Sequence, residues 1–179
     1  MSETKTKVRV FTIADYIEEE EWLREEHKNG WKIKKLTPPL FYTFERCEPE
    51  DVVYKLDYKN ARASEDYKAM FADYGWEYFG ECFGWNYFRK TAAEIDNEND
   101  GEILSDNDSR VDMIKHVLKT RMLPIFIIFL CVILPNFFDI LDSGKIGVST
   151  VLWICLFAIY TYIIIHCGLK LRKLKNDLE

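Results

Sequence analysis

The sequence predicts an α+β fold: duplicated strand-helix-strand-strand units forming a cytoplasmic domain, followed by a two-helix transmembrane hairpin. Three observations carry this. The stretch "NGWKIKKLTPPLFYTFERC" from Asn29 is echoed from Tyr74 by "YGWEYFGECFGWNYFRKTA"; each runs Gly-Trp, a short strand, a turn and an aromatic strand ending in basic residues. A charged helical stretch precedes both, "DYIEEEEWLREEHKNG" and then "SEDYKAMFADYG". Two long apolar runs without an internal charge close the chain.

In order, the strand-like run "VRVFTI" opens the first unit and "DVVYKLDY" the second. Asp15 and Ser64 are expected N-caps, each ahead of an acidic first turn that suits the helix dipole. Gly30 and Gly75 stand where a helix C-terminus needs a left-handed residue. At an offset of 45 residues Val8 aligns with Val53, Phe11 with Leu56, Ile13 with Tyr58, Gly30 with Gly75 and Trp31 with Trp76. Past the hairpin turn the offset falls to 44, aligning Phe41 with Trp85 and Phe44 with Phe88, so one turn is a residue shorter. Trp31 and Trp76 are expected to anchor helix to sheet. A small sheet buries one face and does not stand alone, so the two units are expected to cover one another.

The expected organisation is a cytoplasmic α+β domain at 1–91, with units at about 7–47 and 52–91, and an acidic linker at 92–108. A juxtamembrane helix at 109–121 places Val111, Ile114 and Leu118 on one face. Transmembrane helices at 122–140 and 146–169 and a basic tail at 170–179 complete the chain. The net charge of -6 conceals an asymmetry: up to Asp108 there are 15 Lys/Arg against 25 Asp/Glu, and beyond it 9 against 5. The basic part therefore points to a membrane or polyanion partner.

"MLPIFIIFLCVILPNFF" and "IGVSTVLWICLFAIYTYIIIHCGL" would be roughly 26 and 36 Å long as helices, against a hydrocarbon core of about 30 Å. Pro124 and Pro135 fall near the ends of the first run, where membrane helices tolerate them. Arg110, Lys115, Lys119 and Arg121 precede the first span and Lys170, Arg172, Lys173 and Lys175 follow the second; the connection holds only Lys145. The excess of Lys and Arg predicts both termini on the cytoplasmic side of the membrane, with two passes through the bilayer. "MSETKTKVRV" has no apolar core of a cleavable signal, and none is expected. Five cysteines include no C-x-x-C, so neither zinc nor a redox pair is suggested.

The order "WLREEHKNGWKIKKL", "FYTFERCEP", "DYGWEYFG", "WNYFRK" and "EILSDNDSRVDMIKH" resembles the bacterial domain of unknown function 2812 family over about residues 7–118. Members of that family often carry C-terminal membrane spans, and their genes often lie beside a PadR-like regulator. The resemblance supplies no catalytic residues and implies a regulated, membrane-associated accessory protein of the bacterial cytoplasmic membrane. Glu26, aligned with Phe71 of the second unit, departs from the apolar residue usual in the family. The paired units are also similar in topology to ligand-sensing modules of the gyrase-inhibitor-like kind, which does not fix function.

Chemistry is sparse. His27 ends the first helix in an acidic stretch and is expected to be solvated or to cap the helix; Glu18 to Glu21 are expected to form a solvated helix start. Paired-carboxylate hydrolysis would need a second carboxylate across a cleft. "DNENDGEILSDN" from Asp96 places Asp96, Glu98, Asp100 and Gly101 as a calcium loop would, but has Asn107 at the position of the bidentate Glu. No phosphate-cradling glycine motif occurs, and "FGWNYFRK" sits in an acidic domain poorly suited to nucleic acid. No cofactor is expected. The many aromatic residues are expected to form mainly core, with Phe41, Trp85 and Tyr87 as the wall of a ligand pocket between the units. Asn136 and Ser149 could bond between the spans, and transport would require a homo-oligomer or a partner. The function expected is a non-enzymatic sensing or protein-interaction module held at the membrane. The alternatives are an accessory subunit of a transporter or stress-response complex, and sequestration of a PadR-like regulator, the last implied only by the family's gene setting.

Overall fold

The computed structural model describes residues 3–38, 40–104, 107–143 and 147–178. Ser105 and Asp106 of the expected linker, Lys145 of the connection, Ile146 at the start of the second expected span and Glu179 of the tail lie outside the described residues, as does the side chain of Glu98 in the calcium-loop comparison. The chain divides into two units, Met1–Met113 and Ile114–Glu179.

The first unit contains the duplication. β1 (Thr4–Val8), α1 (Tyr16–Lys28), β2 (Trp31–Thr37) and β3 (Phe41–Arg46) form one copy; β4 (Val52–Tyr58), α2 (Glu65–Asp73), β5 (Glu77–Cys82) and β6 (Trp85–Thr91) form the other. Each makes a three-stranded antiparallel sheet, ordered β1-β3-β2 and β4-β6-β5. The copies share an irregularity: pairing slips at Lys34, between Ile33 and Lys35, and at Phe79, between Tyr78 and Gly80. A bulge at the same place in both units bends both sheets alike.

The helix ends follow local chemistry. Gly30 (φ +80°) and Gly75 (φ +81°) take the left-handed conformation that L side chains avoid, and their N–H groups donate to the carbonyls of His27 at 2.8 Å and Ala72 at 2.9 Å. Ser64 caps α2, its Oγ accepting the Tyr67 N–H at 3.2 Å. Asp15 does not cap α1: its Oδ2 turns back to accept the N–H and hydroxyl of Thr12. The β5–β6 turn has Phe83 (φ +48°) and Gly84 (φ +84°) both left-handed, the geometry that closes a two-residue hairpin; the β2–β3 turn has three residues.

One alignment is corrected. The first strand is Thr4–Val8, which shares only Val8 with "VRVFTI". Val8 faces Phe41 as Tyr58 faces Trp85, so Val8 corresponds to Tyr58 rather than to Val53. The cause is α1, which has 13 residues against 9 in α2 and so carries an extra turn. Phe11 lies in the connection and packs against Trp22 and Tyr42, with ring centroids 5.6 and 6.1 Å away.

The second sheet is covered on both faces, which is why β4 and β6 are buried almost throughout. Val53, Phe88 and Trp76 meet Phe71 of α2 on one side. On the other, Tyr54, Leu56, Tyr58, Trp85 and Tyr87 are buried, and α1 packs against both β4 and its own β2. After β6 the chain forms two short 3₁₀ turns, Ala92–Glu94 and Glu98–Gly101, and runs back over the second copy, where Ile95 and Ile103 pack against the Val53–Phe71–Trp76–Phe88 cluster. We call residues 92–104 the strap.

In the second unit, α3 (Asn107–Asp142, whose first turns belong to the first unit) and α4 (Val148–Leu178) are long and apolar enough to cross a membrane. Only 6 % of the most apolar window of each is buried, as expected of surfaces meant for lipid rather than for a soluble core. They pack on each other through Phe129, Phe137 and Phe157, with Phe137 and Phe157 stacked at 4.1 Å. The juxtamembrane helix and first span are one continuous helix. Wide π-turns at Leu118–Met122 and Phe129–Ile133 each end two residues before a proline, Pro124 and Pro135. Each proline lacks an N–H and its ring crowds the carbonyl four residues back, so the ladder widens there. Asn136 Nδ2 donates to the Val132 carbonyl at 2.8 Å, within its own helix.

Candidate functional site

The helix α1 holds one fully buried leucine, Leu23, and the side chains three and four residues to either side of it share its face: Glu19, Glu20, Glu26 and His27. All four are buried. The expectation of a solvated acidic start is therefore corrected for Glu19 and Glu20, which are 5 % and 7 % exposed. So is that of a solvated or capping His27. The physical reason is that α1 is covered on two sides, by its own sheet and by β4, and each buried polar group has a distant partner.

Glu19 Oε1 accepts two phenolic hydroxyls, Tyr42 from the first sheet and Tyr87 from the second, each at 2.8 Å. Burial pushes its carboxyl up, and the two hydroxyls pull it partly back. Both phenols are in turn raised by burial and by the nearby carboxylate. Cys82 is raised by burial and by Glu19 to about 11, so its thiol stays protonated at neutral pH. Glu20 Oε1 accepts the outward Leu56 N–H of the edge strand β4 at 2.8 Å, and its Oε2 lies 3.2 Å from Lys55 Nζ. Burial raises Glu20 to about 7, although Lys55 and the amide both favour its anion. Glu26 pairs with Lys5 at 3.0 Å and with Lys7. Burial acts to raise its carboxyl, but the two lysines outweigh that and hold it low. Lys5 also lies 4.0 Å from the Trp31 ring, so an ion pair fills the region that Phe71 fills in the second copy. His27 Nδ1 and Tyr54 Oη share a hydrogen bond at 2.8 Å, and burial lowers the imidazole.

The strap walls two cavities. A chamber of about 500 Å³ lies against α2, between Tyr67, Met70, Phe71, Trp76 and the strap residues Ile103 and Leu104, with Lys59 and Lys90 also facing it. A second of about 200 Å³ lies against α1 and β4, lined by Tyr16, Glu20, Lys55 and Arg110. Glu102 borders both and is held by Lys55 at 2.8 Å and by Arg110 at 3.1 Å. The strap is thus fixed by two isoleucines over an apolar cluster and by one carboxylate between two cations.

Of the sequence-selected pocket residues, Trp85 and Tyr87 come together on the α1 face of the second sheet. Trp85 stacks on Tyr16 at 5.0 Å, and Tyr87 donates to Glu19. Phe41 is not with them; it is 44 % exposed at the end of β3, opposite Val8. The two cavities under the strap are lined by other residues.

The family model described as "Protein of unknown function (DUF2812)" matches residues 15–128. The chain belongs to the DUF2812 family. No curated protein and no solved structure matches it. The DUF2812 match spans α1 to the first part of α3, so it takes in the strap and both cavities beneath it.

Proposed function

We propose that this DUF2812 protein is a non-enzymatic regulatory module: a cytoplasmic sensing domain held at the bacterial cytoplasmic membrane by two spans, with both termini inside. The observation that carries the reading is the strap. It roofs two cavities and is the segment through which the domain continues into α3. A ligand beneath it bears directly on the residues that lead to the first span. Orientation is supported by the basic residues before the first span and after the second. A non-catalytic role is supported by the α1 face, where Glu19, Glu20, Glu26 and His27 each hold a structural partner.

The test is to purify the full-length protein from its native membranes in mild detergent, denature it, and identify released small molecules by mass spectrometry. The expected result is one compound near one per chain, lost when Ile103→Asp loosens the strap. Recovery of no compound from either form would contradict the reading. A stoichiometric co-purifying protein instead would favour the accessory-subunit or PadR-like-regulator alternatives.

A further inference from the structure

The duplication supplies an internal comparison for the chamber against α2. In both copies a cation at the end of the last strand lies over the tryptophan of the Gly-Trp pair: Arg46 over Trp31 at 4.9 Å, and Lys90 over Trp76 at 6.0 Å. In the first copy Arg46 is exposed. In the second, Trp76 and Lys90 are buried, Lys90 to 9 % exposure, and the strap packs over the cluster that holds Trp76. The same cation–aromatic pair is therefore open in one copy and enclosed in the other.

An ammonium has three donors. Lys90 Nζ uses one, to the Tyr74 carbonyl at the end of α2, at 2.9 Å. That carbonyl end carries part of a negative charge. Among the described residues Lys90 forms no ion pair with a carboxylate, although it also borders a polar cavity lined by Glu48, Glu50, Glu77 and Glu94. Burying an unpaired charge is costly, and such groups are ordinarily neutralised by a counter-ion. The acids bordering the chamber are engaged elsewhere: Glu102 by Lys55 and Arg110, and Asp100 by the Asn97 amide at 2.8 Å. A second ammonium, Lys59, also lines the chamber, over the Tyr67 ring at 5.4 Å and 3.5 Å from Asp57. Apart from Ser109 the remaining walls are apolar and aromatic, Met70, Phe71 and Trp76 among them.

From the buried Lys90, with no carboxylate at ion-pair distance, at one side of a largely aromatic chamber of about 500 Å³ that Lys59 also lines, we infer that this chamber binds a small organic anion with an apolar or aromatic body. Its acid group would lie against Lys90 and its body against Trp76 and Phe71. This rests on the sensing reading above for the purpose of the chamber and adds the chemical class of the ligand.

The test titrates the full-length protein in detergent with three probes of one shape: 2-naphthoate, neutral 2-naphthamide and cationic 2-naphthylmethylammonium, with protein-free micelles as the blank. Naphthoate is expected to bind saturably and at least about tenfold tighter than naphthamide, the worth of a charge-assisted hydrogen bond. Lys90→Met is expected to remove that preference, Lys90→Arg to keep it, and Arg46→Met, at the open copy, to leave it unchanged. Equal binding of naphthoate and naphthamide, a preference that survives Lys90→Met, or no binding of any probe would overturn the inference. If Lys90→Met disturbs the end of α2, the ratio of the two probes on the unaltered protein decides alone. Hydrogen exchange of the strap separates the two readings. Naphthoate binding without slower strap exchange keeps the anion site and removes the sensing reading. Slower strap exchange with only the neutral or cationic probe keeps the sensing reading and removes the anion site.

Discussion

Replacing Glu20 by Gln changes almost nothing sterically, because the Gln carbonyl can still accept the Leu56 N–H that Glu20 accepts at 2.8 Å. It changes the proton balance. Burial raises the Glu20 carboxyl from 4.5 to about 7, with Lys55 and the Leu56 amide opposing, and Glu102 adding to the rise. Tyr16 and Arg110 line the same small cavity. Between about pH 4.5 and 7 the folded protein therefore holds a proton that the unfolded chain has released. The stabilising contribution of that proton is complete below the unfolded value and is lost as pH rises through the folded one. A shift of this size is worth about 3 kcal/mol, or roughly 6 to 12 °C in melting temperature for a chain of this length. Glu20→Gln is neutral at every pH and escapes the loss. Melting of the full-length protein and the variant in detergent, followed by tryptophan fluorescence from pH 5 to 8, is the assay. With its NH2 turned toward Lys55 the variant carries a constant offset, but the difference between the two proteins should move in the variant's favour from pH 5 to pH 8. Parallel profiles, or a variant weaker by the same amount throughout, would refute the reasoning.

Tyr87→Phe removes one of the two hydroxyl donors to buried Glu19 and is expected to cost about 1 to 3 kcal/mol in chemical denaturation; no measurable cost would mean that water replaces the hydroxyl. Gly30→Ala and Gly75→Ala each force an alanine into left-handed backbone, at about 1 to 2 kcal/mol. Gly30→Ala is expected to cost more, since its Cβ would meet the Cys47 carbonyl oxygen at 3.0 Å, whereas that of Gly75 meets the flexible Lys90 Cε at 3.3 Å. Ile103→Asp is expected to loosen the strap without unfolding the sheets, seen as faster proteolysis within residues 92–104 at an unchanged melting temperature; a large fall in melting temperature would show that the strap belongs to the core.

Much of this fold is local, and local features are legible in sequence. Gly30 and Gly75 ended the helices because backbone sterics alone demand it, and the shorter β5–β6 turn was visible as the fall in offset from 45 to 44. β1 was misplaced because "TKTKV" looks like a polar tail. It becomes a strand only through pairing with β3, with Lys5 and Lys7 reaching Glu26. The site was hidden for a related reason. Glu19 and Glu20 look like a solvated helix start until Tyr42, Tyr87 and the Leu56 amide arrive from 23, 68 and 36 residues away. One signal was available: Leu23 marks the buried stripe of α1, and its neighbours at three and four residues are these acids and His27. Nothing comparable marks Lys90, whose chamber is walled by a strap that follows the duplication and has no counterpart after the first copy.

The central claim is that the strap is a docked roof rather than a loose linker. Hydrogen exchange of the full-length protein in detergent, resolved over residues 92–104, tests it most directly. The Ala92 N–H donates to the Asp51 carbonyl at 2.9 Å, Ile95 to Ala92 at 3.2 Å and Asp100 to Asn97 at 3.1 Å. The account predicts that these amides exchange far more slowly than a random chain, and more slowly still with a bound ligand of the kind proposed. Exchange of the whole strap at random-chain rates, with or without that ligand, would contradict it.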